Sequence, residues 1–347
     1  MLSHGTPTGR ETSEEIFGTG FNNGVDRVYL PYDLPFAVNH FLTHFKPAIG
    51  LILETELWFN LIAACKQNNV PLLLLNARLS EKSAKGYTKL GKLAREGLQN
   101  LSAIAAQTAG DAARLQALGA SNISVVGNLK FDVKPPADSV EKGLQLRKLL
   151  GAERTIFVAA STRAGEESLI LDAVRGLDLL TIIVPRHPQR FDEVAAILDQ
   201  SNVAYKRKTL LNNTALEANI HADSRPAVIL GNTMGEMPIY YAACDFAFIG
   251  GSLLPFGGQN LIEATNMGKP ILIGEYTFNF TEASNDAVEA GAAMRVKNNT
   301  ELREKIEFLL HNIPVRIQMQ QAALAFSAAS TGATTRTMAL IKQYLVN

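Results

Sequence analysis

The chain is expected to be an α/β protein of two Rossmann-like domains facing a cleft, with the first domain incomplete at its start. Three observations carry that expectation. Short β-branched or leucine-rich runs alternate with longer helical patterns, the signature of parallel sheets joined by crossover helices. The alternation forms two series, separated by Val133-Lys-Pro-Pro-Ala-Asp138, whose adjacent prolines suit neither a helix interior nor a central strand. Polar residues follow directly on the apolar runs, where open α/β sheets bind their ligands.

Taken in order, the first series has strands near Arg27–Leu30, Ala48–Leu53, Pro71–Leu75, Ala103–Ala106 and Ile123–Val126, with helices near Phe59–Asn68, Glu81–Leu98 and Gly110–Leu118. The second has strands near Thr155–Ala159, Leu180–Val184, Ala227–Leu230, Phe246–Ile249, Pro270–Ile273 and Ala292–Val296, and is helical from Glu301 onward. The predicted domains are residues 1–133 and 139–347, joined by a stiff linker at 134–138, with the last helix packing back on the first domain. The start is anomalous for a doubly wound domain: Met1–His4 runs into a turn-rich loop, Gly5-Thr-Pro-Thr-Gly9, and no strand is expected before it.

Composition narrows the function. With 347 residues, 47% of them hydrophobic, and 33 basic against 33 acidic side chains, there is core enough for two domains and no global charge to hold nucleic acid. The two cysteines, Cys65 and Cys244, lie far apart in apolar helical contexts and offer neither a disulfide framework nor a zinc spacing. No apolar run approaches the ~20 residues of a membrane span, and residues 1–30 lack a signal-peptide pattern. A cytoplasmic enzyme fits these features.

The segment Val228–Phe280 is the most informative, because three glycine-bearing turns each follow or open a regular element there. Free backbone N–H groups at a helix start, beside glycines that permit close approach, suit a phosphate; the segment reads as a nucleotide-sugar pocket. Gly235 and Gly258 are the candidate phosphate-side glycines, and Glu263 the carboxylate to accept two bonds from a ribose diol. Ser161 and Thr162 follow the run Thr155–Ala159, and Arg186 and His187 follow Leu180–Val184, with Arg186 a candidate phosphate clamp. Each motif has a plainer reading. Thr233-x-x-Glu236 and Asn260-x-x-Glu263 match capping boxes, and Arg186-His187-Pro188 could be a surface turn leading into a helix. Glu54 and Glu56 are spaced to point to the same side of an extended segment, as an acid–base pair or as one functional and one solvated carboxylate. Lys82, Lys85, Lys89 and Lys92 share one face of the expected helix, either a solvated face or an attachment surface for anionic lipid.

Eight phrases in order resemble 3-deoxy-D-manno-octulosonic acid (Kdo) transferases: YLPYDLP (Tyr29–Pro35), ETELWFN (Glu54–Asn60), NARLSEKSAKGY (Asn76–Tyr87), GNLKFD (Gly127–Asp132), PRHPQRF (Pro185–Phe191), TMGE (Thr233–Glu236), GGSLLPFGGQNLIEA (Gly250–Ala264) and TFNF (Thr277–Phe280). The resemblance covers essentially the whole chain. It implies the glycosyltransferase B fold, CMP-Kdo as donor, a lipid A precursor as acceptor at the cytoplasmic face of the Gram-negative inner membrane, and inverting, metal-independent transfer without a cofactor. It places CMP on Arg186, His187, Met234, Gly235, Glu236, Asn260, Leu261, Ile262 and Glu263, with Ser161, Thr162 and Gly258 also on the donor side. It makes Glu54 and Lys130 supports of the transition state, and turns Arg78, Lys82 and Lys85 toward the acceptor.

The chain departs from the family pattern at its start. Family members open with an apolar anchor and a Ser-Val-Gly-Glu segment carrying the proposed base, and the resemblance implies a chain shortened past both, hence cytoplasmic or peripheral, lacking the general base, and expected to transfer Kdo poorly or not at all. Phe59, Asn232 and Gln259 stand where proline, aspartate and histidine are common. Two other readings share the strand-end features: a nucleotide-sugar epimerase or hydrolase of the same architecture, and an inactive CMP-binding fragment.

Overall fold

In the computed structural model, which describes residues 1–18, 25–211 and 226–345, the chain divides into two units. Met1–Val126 with Thr335–Asn347 forms the first, and Gly127–Thr334 the second. The break at Val126 lies upstream of the expected linker, so residues 134–138 belong to the second unit. The reason is local bonding. The Asn266 side chain donates to the carbonyls of Phe131 and Val133, and the Asp132 carboxylate accepts the backbone N–H groups of Gly332 and Thr334.

The first unit contains β1 (Leu2–His4), β2 (Arg27–Tyr29), β3 (Gly50–Leu53), β4 (Leu72–Ala77), β5 (Ala103–Ala106) and β6 (Ile123–Val125). Strands β3 to β6 form one parallel sheet in chain order, and β1 pairs with β2 apart from it. The strand at Leu2–His4 corrects the expectation of none. It carries no apolar run to announce it, and it is held by the Leu2↔Arg27 register and by Arg27, whose guanidinium donates to Ser13 Oγ at 2.7 Å and to the Ser13 carbonyl. Strand β4 is buried on both faces, which is why it reads as a continuous leucine run. Leu72 and Leu74 pack with Val38, Ile62 and Leu98, while Leu73 and Leu75 meet Ala103, Ala105 and Ile341 of the final helix, Ala333–Leu345.

A second correction concerns the expected helix Glu81–Leu98. It is two helices, Glu81–Thr88 and Lys92–Asn100, parted at Gly91, whose φ of 53° lies in the left-handed region that a helix interior does not admit. Lys89 caps the first helix and Lys92 opens the second, so the lysines do not form one stripe.

The second unit is built on a seven-stranded parallel sheet of β7 (Ile156–Thr162), β8 (Leu180–Pro185), β9 (Tyr205–Arg207), β10 (Val228–Leu230), β11 (Phe246–Ile249), β12 (Ile271–Gly274) and β13 (Ala293–Val296). Its order is β13-β12-β11-β7-β8-β10-β9, the doubly wound pattern with β9 added at one edge. Along β7, Ile156, Val158 and Ala160 enter one core and Phe157 and Ala159 the other. Helices covering both faces leave the ends of the strands as the one part of the sheet where polar groups meet solvent.

Candidate functional site

The chain leaves β7 toward β8 on one side and returns to β11 on the other, so the order reverses between β7 and β11. In open parallel sheets the crevice at such a reversal, beyond the carboxyl ends of the strands, is the ligand position. Here the turn after β11 packs directly on the turn after β7. A Cβ at Gly250 would lie 2.6 Å from the Ser161 carbonyl oxygen and 2.7 Å from Thr162 Cα, so no larger residue fits. Glu166 fixes this junction: fully buried, it accepts the N–H groups of Arg163 at 2.9 Å, Gly251 at 2.6 Å and Leu253 at 3.0 Å. Burial raises the carboxyl's pKa and these three donors oppose the rise.

Beside this junction lies a pocket of about 400 Å³, lined entirely by residues of the second unit. Arg186 and Glu263 both line it, as do Ser161, Met234, Gly235 and Glu236. Glu263 sits in the first turn of the short helix Ile262–Asn266, and the Asn260 side chain donates to it at 2.9 Å while accepting from the Ile262 N–H at 3.1 Å. Asn260 therefore both satisfies the first N–H of the helix and orients the carboxylate. The Glu263 carboxylate accepts from the Asn260 side chain rather than from its backbone N–H, so the plain capping-box reading does not describe it.

Glu236 is the N-cap of the helix Met237–Ala243, and its side chain is turned to Lys208 Nζ at 2.7 Å and to Thr233 Oγ1. No capping box forms here, because the bond runs from one side chain to the other. Burial alone would push the Glu236 carboxyl up, but the hydrogen bonds from Lys208 and Thr233 and the charges of Lys208 and Lys142 outweigh it, and its pKa lies below the usual value.

Several expected contacts are used internally instead. Thr162 is buried and donates to Glu167 Oε1 at 2.6 Å, so its hydroxyl serves the core. The Gly258 N–H donates to the Gly251 carbonyl at 2.7 Å, which commits the group expected to hold phosphate. Leu261 and Ile262 are fully buried and do not line the pocket. His187 does not line the pocket; its Nε2 lies 3.2 Å from Arg163 Nη1. Sequence reasoning passed over Arg163, Lys208 and the pocket wall made by Val133–Pro136. Arg163 directly follows Ser161 and Thr162, so the same strand-end rule reaches it; Lys208 and the wall carry no local signal.

The remaining candidates are spread over both units. Glu54, in the first, has a φ of 62° and its N–H donates to the Leu75 carbonyl, and Glu56 accepts from the Trp58 indole at 2.5 Å. Arg78 follows β4 half-buried, and Lys82 and Lys85 are exposed on the helix Glu81–Thr88. Lys130, in the second unit, lies in the 3₁₀ turn Leu129–Asp132 with its ammonium 5.4 Å from the centre of the Phe280 ring.

Comparison with known proteins now bears on this geometry. A family model described as 3-deoxy-D-manno-octulosonic-acid transferase matches residues 1–133. A 3-deoxy-D-manno-octulosonic acid transferase of Bordetella pertussis is 41% identical over 99% of this chain and 81% of its own length. The chain belongs to the 3-deoxy-D-manno-octulosonic acid transferase family. A second Kdo transferase, from Haemophilus influenzae, is 34% identical over 98% of this chain and 79% of its own length. Among solved structures, the C-terminal CMP-Kdo binding domain of WaaA from Acinetobacter baumannii matches at 28% identity and a TM-score of 0.50, covering 55% of this chain and 98% of that domain. Anabaena HepE in complex with UDP matches at a TM-score of 0.64 over 98% of this chain and 90% of its own, and at 16% identity it shares the fold alone. The fold is thus the glycosyltransferase B type, with parallel sheets in two Rossmann-like units, as Kdo transferase resemblance implied.

Proposed function

We propose that this glycosyltransferase transfers Kdo from CMP-Kdo to a lipid A precursor in lipopolysaccharide core biosynthesis, and that the pocket of the second unit is the seat of CMP. The observation that carries this reading is the presence of Arg186 and Glu263 on one pocket. A guanidinium suits a phosphate and a carboxylate suits a ribose diol, and the two ends of a nucleoside monophosphate need both. Met234, Met237 and Met267 with Pro135 and Pro136 give the same pocket an apolar wall for the base. Similarity to a CMP-Kdo binding domain supports the donor's identity.

In the reaction an acceptor hydroxyl attacks the anomeric carbon of Kdo with inversion, a base removes its proton, and CMP departs. Arg186 and Lys130 stabilise the negative charge that builds on the phosphate as the bond breaks, a preorganised electrostatic role. Asn260 holds Glu263 in register for the diol, and Lys208 offsets the charge of Glu236 so that an anion can enter. Glu54 supports the transition state from the acceptor side, and Arg78, Lys82 and Lys85 meet the phosphorylated acceptor. No helix among the described residues is long and apolar enough to cross a membrane, and these cations are suited to work at the cytoplasmic face of the inner membrane. Calorimetry with CMP tests the donor site. Binding is expected for the wild type, with a loss of at least about tenfold in Arg186→Ala, equivalent to ~1.4 kcal/mol; wild-type protein that does not bind CMP would refute the assignment.

A further inference from the structure

The end of the pocket beyond the phosphate carries more positive charge than one phosphate requires. Thr162 of β7 pairs with Pro185 of β8 after a bulge at Ser161, and the Arg186 N–H donates to the Thr162 carbonyl at 3.0 Å. Arg163 and Arg186 are therefore the next residues out of two adjacent strands, which run about 4.8 Å apart. Arg190 on the same stretch is neutralised, by Glu167 at 2.6 Å and Glu193 at 2.9 Å. Among the described residues neither Arg163 nor Arg186 has a carboxylate partner. Two unneutralised arginines at adjacent strand ends raise the local positive potential, and a ligand bearing two negative charges lowers it.

Arg163 is also held in place. Its guanidinium lies 4.8 Å from the centre of the Phe256 ring, its Nη1 3.2 Å from His187 Nε2, and its backbone N–H is tied to Glu166 at 2.9 Å. Loss of hydration and then the charges of Arg163, Arg186 and Arg190 keep the His187 pKa low, so the neutral imidazole accepts from Arg163. Stacking occupies a face of the guanidinium and the His187 bond one N–H of Nη1, so its remaining N–H groups can serve a ligand.

The donor proposed above has two anionic groups: the phosphate, which as a diester carries one charge, and the carboxylate of its octulosonic acid. We infer that Arg163 recognises the sugar-acid carboxylate of the donor, with Phe256 and His187 positioning its guanidinium and Arg186 taking the phosphate. The order along the site follows from the pocket: Arg186 lines the same cavity as Glu263, whereas Arg163 lies outside it. Base, diol and phosphate thus fill the cavity, and the sugar acid extends past Arg186 to Arg163. This inference rests on the reading of the second unit as the donor site.

The test compares CMP with CMP-Kdo as ligands of the whole chain, by calorimetry or by protection against thermal unfolding. Wild-type protein is expected to bind CMP-Kdo at least about tenfold more tightly than CMP. Arg163→Gln should leave CMP within about twofold and abolish the preference for CMP-Kdo, and Arg163→Lys should restore part of it, since an ammonium keeps the charge without the fork. Phe256→Leu, which leaves the arginine in place, should reduce the preference without changing CMP binding. Equal loss of both ligands in Arg163→Gln, or no loss of either, would overturn the inference while leaving the donor site intact. Wild-type protein that binds neither ligand would instead overturn the donor-site reading on which it stands.

Discussion

Lys208 Nζ lies 2.7 Å from the Glu236 carboxylate, in the wall of a pocket proposed to receive an anion. Without that ammonium Glu236 would lose its directly bonded cation and present more of its negative charge to the incoming phosphate. Lys208→Gln is expected to weaken CMP by about tenfold, or ~1.4 kcal/mol, and uncharged cytidine much less. Adding Glu236→Gln to the Lys208 variant should recover most of the loss. Titrations of both nucleotides against the two variants check this, and an equal loss for cytidine and CMP would show that Lys208 merely supports the fold.

Glu263 should report on the ribose. A carboxylate accepting from two hydroxyls loses one bond when the 2′-hydroxyl is absent, and a hydrogen bond to a charged group is worth about 1.5–3 kcal/mol. Wild-type protein is expected to prefer CMP to its 2′-deoxy analogue, and Glu263→Ala to lose that preference. Asn260→Ala should blunt it partly, since the 2.9 Å bond that orients Glu263 is gone. Competition binding with the two nucleotides decides the matter.

His187 is expected to titrate below its ordinary value of 6.5 in the free protein, because dehydration and the charges of Arg163, Arg186 and Arg190 all disfavour the imidazolium. A group so depressed binds its proton less readily when folded than when unfolded. Its contribution to stability therefore rises with pH through the window between its folded value and 6.5, and falls on acidification. An anion on the neighbouring arginines reverses the sign of the local field, so the midpoint should move upward in the CMP complex. Imidazole resonances followed by NMR with and without CMP read both shifts; a midpoint indifferent to CMP would remove His187 from the site.

Glu166 should matter to folding more than its distance from solvent suggests. Its two oxygens accept three backbone N–H groups across the β7 and β11 turns, and an amide in its place presents an N–H to donors already there. Glu166→Gln is expected to cost about 2–3 kcal/mol in chemical denaturation, the scale of breaking buried bonds to a charged group. Loss of less than half of that would mean the glycine turns hold without it.

Both thiols should resist modification in the native state. Burial pushes Cys65 and Cys244 up to about 11, so little thiolate exists near neutral pH and access is poor. A disulfide reagent is expected to react with neither until the protein is unfolded, when both should react together; rapid reaction of either in the native protein would contradict the packing.

Much of this was legible in the chain because of how the sheets are buried. Strands such as β7, β8 and β11 are covered on both faces and so appear as uninterrupted apolar runs, and the residues after them are the ones a doubly wound sheet exposes to a ligand. The Leu2–His4 strand was not legible, since its pairing with Arg27–Tyr29 depends on one arginine rather than on apolar patterning. The apolar and lysine periodicity runs straight through Gly91, so the helix break there was hidden by the very pattern used to find helices. In the pocket, side-chain identity and strand position pointed to Arg186 and Glu263, but the fate of backbone groups did not show. Gly258 has its N–H committed to Gly251, and Val133–Pro136 turn from a linker into a wall only through Asn266 and Asp132.

The placement of Thr335–Asn347 with the first unit has a bearing on biosynthesis. Leu73 and Leu75 are translated before the second unit, yet Ile341 of the covering helix emerges only after all of Gly127–Thr334 has been made. The later-encoded unit, contiguous from Gly127 to Thr334, is complete before the earlier one can close. In a nascent chain the second unit can thus close while Leu73 and Leu75 still lack the cover of Ile341.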